Sequence, residues 1–418
     1  MKRRAFVIGL LCLVGLCNGS PNACGQDSYS ITDLRASLGA IPSHPFSRAW
    51  GINNRGQAVG DTNTGTNGLT AWLYSGGVMT DLGITGWARA VNDSGQIVGR
   101  VKQPGTSYDF HAFLYSTGVV TDLGTLNYGN YSSAFNVNNI GQVVGEAFAN
   151  SMEDVHAFLY TGGGMLDLGT LGGYYSKANS INNLGQVVGR ASTSNGVIHA
   201  FLYSGGVMTD LGALLGGGMS EAYDINDHGQ VVGEGTTTNG DMHAFLYTGG
   251  AMVDLCSLSN GPSDTFGAAY AINNLGQVVG TAVTSNGEGY PFLYSGGVMT
   301  NLNDLLYANP GWAFDSAYDI NDKGQILCRR VDSEGQEDFF LLTPQLKLHI
   351  VHDIVSYTFS WPTNWTGCGL YRKDCVGLGC NTNWVPVTNV PVIDDRRYKV
   401  TIPALEMLSR GFFRVLCQ

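Results

Sequence analysis

The sequence predicts an all-β protein: a seven-bladed β-propeller closed by an N-terminal strand, followed by a small β-sandwich. Three observations predict it. One short string recurs seven times with a period near 45 residues. Each copy contains four strand-like pieces separated by tight-turn residues. The segment after the apolar N-terminus opens on the tail of a repeat whose missing head lies at the other end of the array. A period of this length with four short strands per unit is the signature of propeller blades.

The recurring string reads INNRGQAVG (52–60), VNDSGQIVG (91–99), VNNIGQVVG (137–145), INNLGQVVG (181–189), INDHGQVVG (225–233), INNLGQVVG (272–280) and INDKGQILC (320–328). These define copies 1 to 7. Around it each copy supplies a piece like AYDIN, then GQVVGEA, HAFLY and VMTDL. All are short, rich in β-branched or aromatic residues, and bounded by Gly, Asn, Asp or Ser, as strands are. No part of the repeat sustains a helical period. Between the first two pieces lies Asn-Asn/Asp-x-Gly, where Asn and Asp tolerate left-handed backbone and Gly supplies positive φ. Between the last two lies SGG or TGG, a hairpin signal. Each copy is therefore an antiparallel meander. A β-solenoid, the competing architecture, needs shorter coils without tight hairpins.

Copy 7 ends after its third piece, at FFLLTP (339–344). The stretch YSITDL (29–34) supplies the missing fourth strand, so the two ends of the array share one blade. Closure removes two bare sheet edges that would invite aggregation.

Before the array, Lys2, Arg3 and Arg4 precede the apolar run AFVIGLLCLVGLC (5–17), too short for a membrane span and right for a signal peptide. Residues 1–25 are read as that signal, with cleavage between Gly19 and Gln26. Residues 26–344 form the propeller and 345–418 the sandwich. No later segment is apolar enough to span a bilayer, so a secreted or cell-surface monomer is expected. Gly is 59 of 418 residues and charged residues only 13%, a composition of turns and uncharged strands. The net charge of -11 and the absence of a basic stripe exclude nucleic acid as a partner.

The strings HAFLYSTGVVTDLG, HAFLYTGGGMLDLGTLGG and HAFLYSGGVMTDLG closely resemble the HAF-type extracellular repeat of secreted bacterial proteins. The resemblance covers roughly residues 29–343 and implies export rather than a particular activity. Copies 1, 6 and 7 depart from it, with TAWLY, YPFLY and DFFLL.

After Pro344 about six alternating segments fit a small sandwich. Cys368, Cys375, Cys380 and Cys417 crowd into it. In an oxidising compartment these four are disulfide candidates, and three pairings are open. The combination SWP, TNWVPVTN and RGFFRV resembles C-terminal modules of secreted proteins from Verrucomicrobia-like bacteria, which implies a sorting or attachment role. A plain terminal cap fits the residues equally.

Candidate functional residues fall in two groups. His111, His156, His199 and His243 recur with Asp81, Asp122, Asp167, Asp210 and Asp254. One His per copy at equivalent positions cannot converge on a metal, so these are read as hydrogen-bonding pairs inside each blade. The repeated Gln is read the same way. No catalytic motif, metal or cofactor is expected. Loop acids such as Glu221 and Asp315 are read as solvated charges. The second group lies on the variable segments that join blades, which share one face with the loops between second and third strands. Those segments carry Trp87, Tyr128, Tyr131, Tyr174, Tyr175, Phe266, Tyr307 and Trp312, with Asn, Asp and Ser as neighbours. Loops on a rigid scaffold are where binding residues sit. The expected function is a non-catalytic binding or surface module for carbohydrate or a cell-surface protein. The alternatives are a propeller-based polysaccharide lyase or hydrolase, and a structural envelope protein. Convergent ionisable groups with shifted pKa values would point to the enzyme, and an aromatic groove without them to the binder.

Overall fold

The computed structural model describes residues 28–34, 47–63, 68–106, 109–127, 129–151, 154–256, 266–284, 286–306 and 310–345, together with the backbone of strands between 349 and 417. The expected signal segment, Tyr128 and Tyr307 lie outside the described residues. The chain divides into two units, Tyr29–Thr343, and Met1–Ser28 with Pro344–Gln418. No described helix is long and apolar enough to cross a membrane.

The first unit is all-β, a propeller-type stack of antiparallel sheets. Copies 3 to 6 each form a four-stranded meander in sequence order. In copies 1 and 2 one long strand, Val78–Val91, serves as the last strand of one meander and the first of the next, giving a seven-stranded sheet. The sheet of copy 7 is composite. Tyr29–Asp33 pairs with Glu337–Pro344, which pairs in turn with Ile326–Val331 and Ser316–Ile320.

The turn chemistry sets these registers. In copy 4 the Asn182 amide bonds Gln186 O at 3.0 Å and the Gly185 amide bonds Asn182 O at 3.1 Å, with Gly185 at φ +75°. The outer hairpin of the same copy turns through Gly205 and Gly206, both at positive φ, the requirement of a type I′ turn. Thr117 stands at the first of these positions in copy 2. It is the one non-Gly residue with positive φ among those described.

Apolar faces pack between consecutive copies. Phe113, Phe158, Phe201, Phe245 and Phe292, one on each of five third strands, are fully buried, as is Trp72 in copy 1. Burying each such ring contributes roughly 1.5–3 kcal/mol. Among the described residues seven clusters form, each joining neighbours. In one, Phe201 of copy 4 meets Val144 and Leu159 of copy 3. In another, Leu327 and Leu341 of copy 7 meet Ala49 and Trp72 of copy 1.

Two further chains of hydrogen bonds run from turn to turn. The side-chain amide of Asn53 donates to Asn92 O, that of Asn92 to Asn138 O, and so on through Asn182, Asn226, Asn273 and Asn321, which donates to Asn53 O at 2.8 Å. In parallel, the Asn54 amide donates to Asp93 Oδ1, and the series continues through 139, 183, 227 and 274 to Asp322. The Asp322 amide donates to Asn54 Oδ1 at 2.7 Å. The repeated Gln orients the donors: Gln186 Oε1, for instance, accepts from Asn182 Nδ2 at 2.7 Å. These turns line a cavity of about 170 Å³ that also touches Asn136, Ser180 and Asp224.

Among the described residues the second unit forms two antiparallel sheets. One orders His349–His352, Ser356–Pro362, Arg397–Pro403 and Val392–Asp394. In the other, Cys368–Val376 pairs with Gly379–Cys380, Val385–Pro386 and Gly411–Cys417.

Candidate ligand-binding site

Every first strand carries a β-bulge at the same place. The register against the second strand skips one residue after the repeated Ala. The skipped residues are Trp50, Arg89, Phe135, Asn179, Tyr223, Tyr270 and Tyr318. A bulge re-aims a side chain out of the pleat. It also draws the two backbones together. A Cβ on Gly145 would lie 1.9 Å from Ser133 O, which is why Gly follows the second-strand Val in copies 1 to 6.

The bulged residues meet across copies. Tyr270 stacks on Tyr318 at 5.5 Å and 13°, Tyr223 lies 5.6 Å from Tyr270, and Trp50 meets Tyr318 edge-on at 6.4 Å. The Arg89 guanidinium lies 3.9 Å over the Trp50 ring, and Lys177 Nζ 4.5 Å over Phe135. All seven are half-buried. Each stands within its first strand, three residues before the Asn that opens the turn.

Ionisable groups surround this aromatic set. Trp50 Nε1–H donates to Asp61 Oδ1 at 2.5 Å. Asp61 is 1% exposed and its Oδ2 is buried without a hydrogen-bond partner. Desolvation raises its carboxyl above the usual range, against the pull of the Trp50 bond and the Arg89 charge. Arg89 is pushed down to about 10 by burial, with Asp61 opposing and Arg100 and Arg48 reinforcing the fall. Tyr131 Oη donates to Glu146 at 2.8 Å and receives Arg100 at 3.5 Å. Burial, then the Glu146 charge, raises its phenol. Tyr223 Oη donates to Glu234 at 2.9 Å. Arg190 bonds Glu221 at 2.8 Å and Tyr175 at 3.2 Å, while Asn179 reaches Glu221 at 2.9 Å. Burial lowers Lys177. The next residue along two first strands is also acidic. Asp224 accepts from Ser180 Oγ and the Ile272 amide, and desolvation raises it to about 6. Asp319 accepts from the Ile52 and Ile320 amides and is raised to about 7 by desolvation and then by the Asp224 charge.

The aromatic residues singled out from sequence divide. Trp87, Tyr131 and Tyr175 join the network; Arg100 lies 3.9 Å over Trp87. Apart from Tyr131 and Trp312, which lie on the connections before Ser132–Val137 and Ser316–Ile320, the described ones do not sit on loops. Trp87 is within Val78–Val91, Tyr174 and Tyr175 within Gly172–Ile181, and Phe266 opens Phe266–Ile272, because the connections run straight into extended first strands. Tyr174 points outward at 65% exposure and Phe266 is exposed. Trp312 packs on Phe314 and Phe340, away from the network. Glu221 and Asp315 are not solvated loop charges: the first pairs with Arg190 and the second with Arg329 at 2.7 Å. The bulged residues were not legible as a site. Their signal is the two variable positions between an invariant Ala and the Ile or Val of a repeated string.

The His–Asp pairs lie apart from this region. Nδ1 of His111, His156, His199 and His243 sits 2.8–2.9 Å from Asp122, Asp167, Asp210 and Asp254 respectively. Asp81, in copy 1, which lacks the His, accepts the Gly83 amide. His243, Asp254 and Cys256 have donor atoms within 4.8 Å of one another. The thiol has a structural reason to be there. In copies 2 to 4 an Ala amide donates to a Ser hydroxyl of the next copy, as Ala200 does to Ser220. In copy 5 the acceptor is Cys256 Sγ, and the Ser position has become Gly267, where a Cβ would lie 2.4 Å from that sulfur.

No family model and no curated protein matches the chain. Among solved structures it is similar to the β-propeller domain of the Trilobed protease from Pyrococcus furiosus, with 11% identity, a TM-score of 0.44, and 63% of this chain and 83% of that one covered. It is similar to TolB from Acinetobacter baumannii at 12% identity and a TM-score of 0.40, over 77% of this chain and 97% of that one. It is also similar to the acylaminoacyl peptidase of Pyrococcus horikoshii at 10% identity and a TM-score of 0.46, over 76% of this chain but only 58% of that one.

Proposed function

We propose that the chain is an exported protein of the HAF-type repeat kind, that its sheets are the blades of a closed seven-bladed propeller, and that it binds carbohydrate on the bulges of its first strands. Closure is supported by the two hydrogen-bond series that return to Asn53 and Asn54, and by the composite sheet built on Tyr29–Asp33. The binding reading rests on one observation. Half-buried aromatic residues from neighbouring copies, Trp50, Tyr318, Tyr270 and Tyr223, gather beside bonded carboxylates and guanidinium groups. Sugar rings offer apolar C–H faces to aromatic planes and hydroxyls to fixed polar groups, so a concave site with few well-placed polar groups suits them. The test is a glycan-array screen of the full chain beside Tyr270→Ala and Trp50→Ala variants. Binding that falls tenfold or more in both variants supports the site. Silence of the wild type across all sugars overturns it.

A specific observation favours a second reading. Tyr131, Glu146 and Arg100 form a hydrogen-bonded set of the kind that proton transfer on a saccharide requires. Release of reducing ends or unsaturated products from acidic polysaccharides, lost in Glu146→Gln, would establish the enzyme. Binding without turnover would leave the binder.

A further inference from the structure

We infer that the C-terminal unit carries two disulfides, Cys368–Cys417 and Cys375–Cys380, set on opposite faces of one strand. The backbone register alone selects this pairing from the three that composition allows. Cys375 stands directly opposite Cys380, and Cys368 directly opposite Cys417. Both other pairings require a cysteine to reach a residue at the far end of the same strand. Cys368 and Cys375 are seven residues apart on Cys368–Val376, roughly 23 Å at the strand rise. A disulfide tolerates at most about 7 Å between Cα atoms. An odd separation also puts the two on opposite faces.

The ladder places both pairs where a cross-strand disulfide fits. Val376 and Gly379 flank a two-residue connection, so they are the pair that exchanges backbone hydrogen bonds, and Cys375–Cys380 is the non-bonded pair next to it. Backbone groups point to alternate edges along a strand. Counting back from Val376, Tyr371 then directs its N–H and C=O away from Val385–Pro386. It faces Pro386, which has no N–H to offer. The same count makes Cys368–Cys417 a non-bonded pair on the opposite edge. Non-bonded pairs bring Cα atoms to about 4.5 Å, inside the range that a disulfide spans.

Each bond forms by thiol–disulfide exchange. Two thiols lose two electrons and two protons to a small-molecule disulfide, which is reduced to two thiols. The pairing follows from the register whether or not the chain is exported, so the oxidant is supplied in the tube. The native full-length chain is equilibrated with oxidised glutathione, free thiols are alkylated, and tryptic peptides are mapped without reduction. Cleavage at Lys347, Arg372, Lys373, Arg396 and Arg414 separates the alternatives. The expected products are peptide 348–372 joined to 415–418, and peptide 374–396 lighter by two hydrogens with no partner. A species joining 374–396 to either of the others overturns the pairing. Alkylation of all four cysteines in the oxidised sample overturns the disulfides altogether.

Discussion

At the scale of single residues, the contacts that matter most are exchanges between neighbouring copies. Cys256 and Gly267 together replace the Gly and Ser used by copies 2 to 4. Cys256→Gly leaves the Ala244 amide buried without an acceptor, at a cost of about 1–3 kcal/mol. Gly267→Ser drives a side chain into the thiol. Each single variant is expected to lower the denaturation midpoint, and the double variant to recover most of the loss. A double-mutant cycle in urea measures this, and additive losses would refute the exchange. Asp319 makes a pH prediction. Its pKa is raised in the folded state to about 7 from an ordinary 3.8. The folded chain therefore holds a proton that the unfolded chain has released, and stability falls as pH rises between those values. In Asp319→Asn this decline in Tm between pH 4 and pH 7 is expected to be shallower. An unchanged slope would show that Asp319 does not titrate there.

At the scale of the element, the bulge explains what the repeat pattern did not. The strand pieces, the Asn-x-x-Gly turn and the paired-Gly hairpin follow from alternation and positive φ, so the meander was legible from residues such as Val187, Gly185 and Gly206. A bulge leaves no such mark. It shifts one residue out of register, and the contact it produces, the close approach of Gly145 to Ser133 O, lies between strands. The loop assignment of Trp87 and Tyr175 failed for a related reason. Connection length was read as loop, whereas the chain is already extended and paired there. Gly145→Ala is expected to cost about 1–3 kcal/mol, the range for overpacking. Copy 7 bears Cys328 at the equivalent position, opposite Ala317, so a Cβ there is costly but survivable. Asn182→Ala removes the bonds to Asn226 O and Gln186 and is expected to cost about 2–3 kcal/mol. Chemical denaturation of both variants checks these values.

At the scale of the whole molecule, stability rests on how the two ends of the array meet. Removing the chain up to Leu34 deletes Tyr29–Asp33 and bares the Glu337–Pro344 edge. The truncated chain is expected to melt several degrees lower and to self-associate, seen in thermal unfolding and light scattering. Unchanged melting and a monomeric profile would count against the composite sheet. The composite sheet was legible because the missing fourth strand of copy 7 could be found at Tyr29. The gathering of Trp50, Arg89 and Tyr318 was not, since they are far apart in sequence and alike only in lying beside an invariant Ala. The recurring out-of-register residue has an evolutionary corollary. The second-strand Val and the Asn turn recur in copies 1 to 6 beside five different side chains at that position. Selection can thus rewrite that surface substitution by substitution, while the instructions for folding stay as they are.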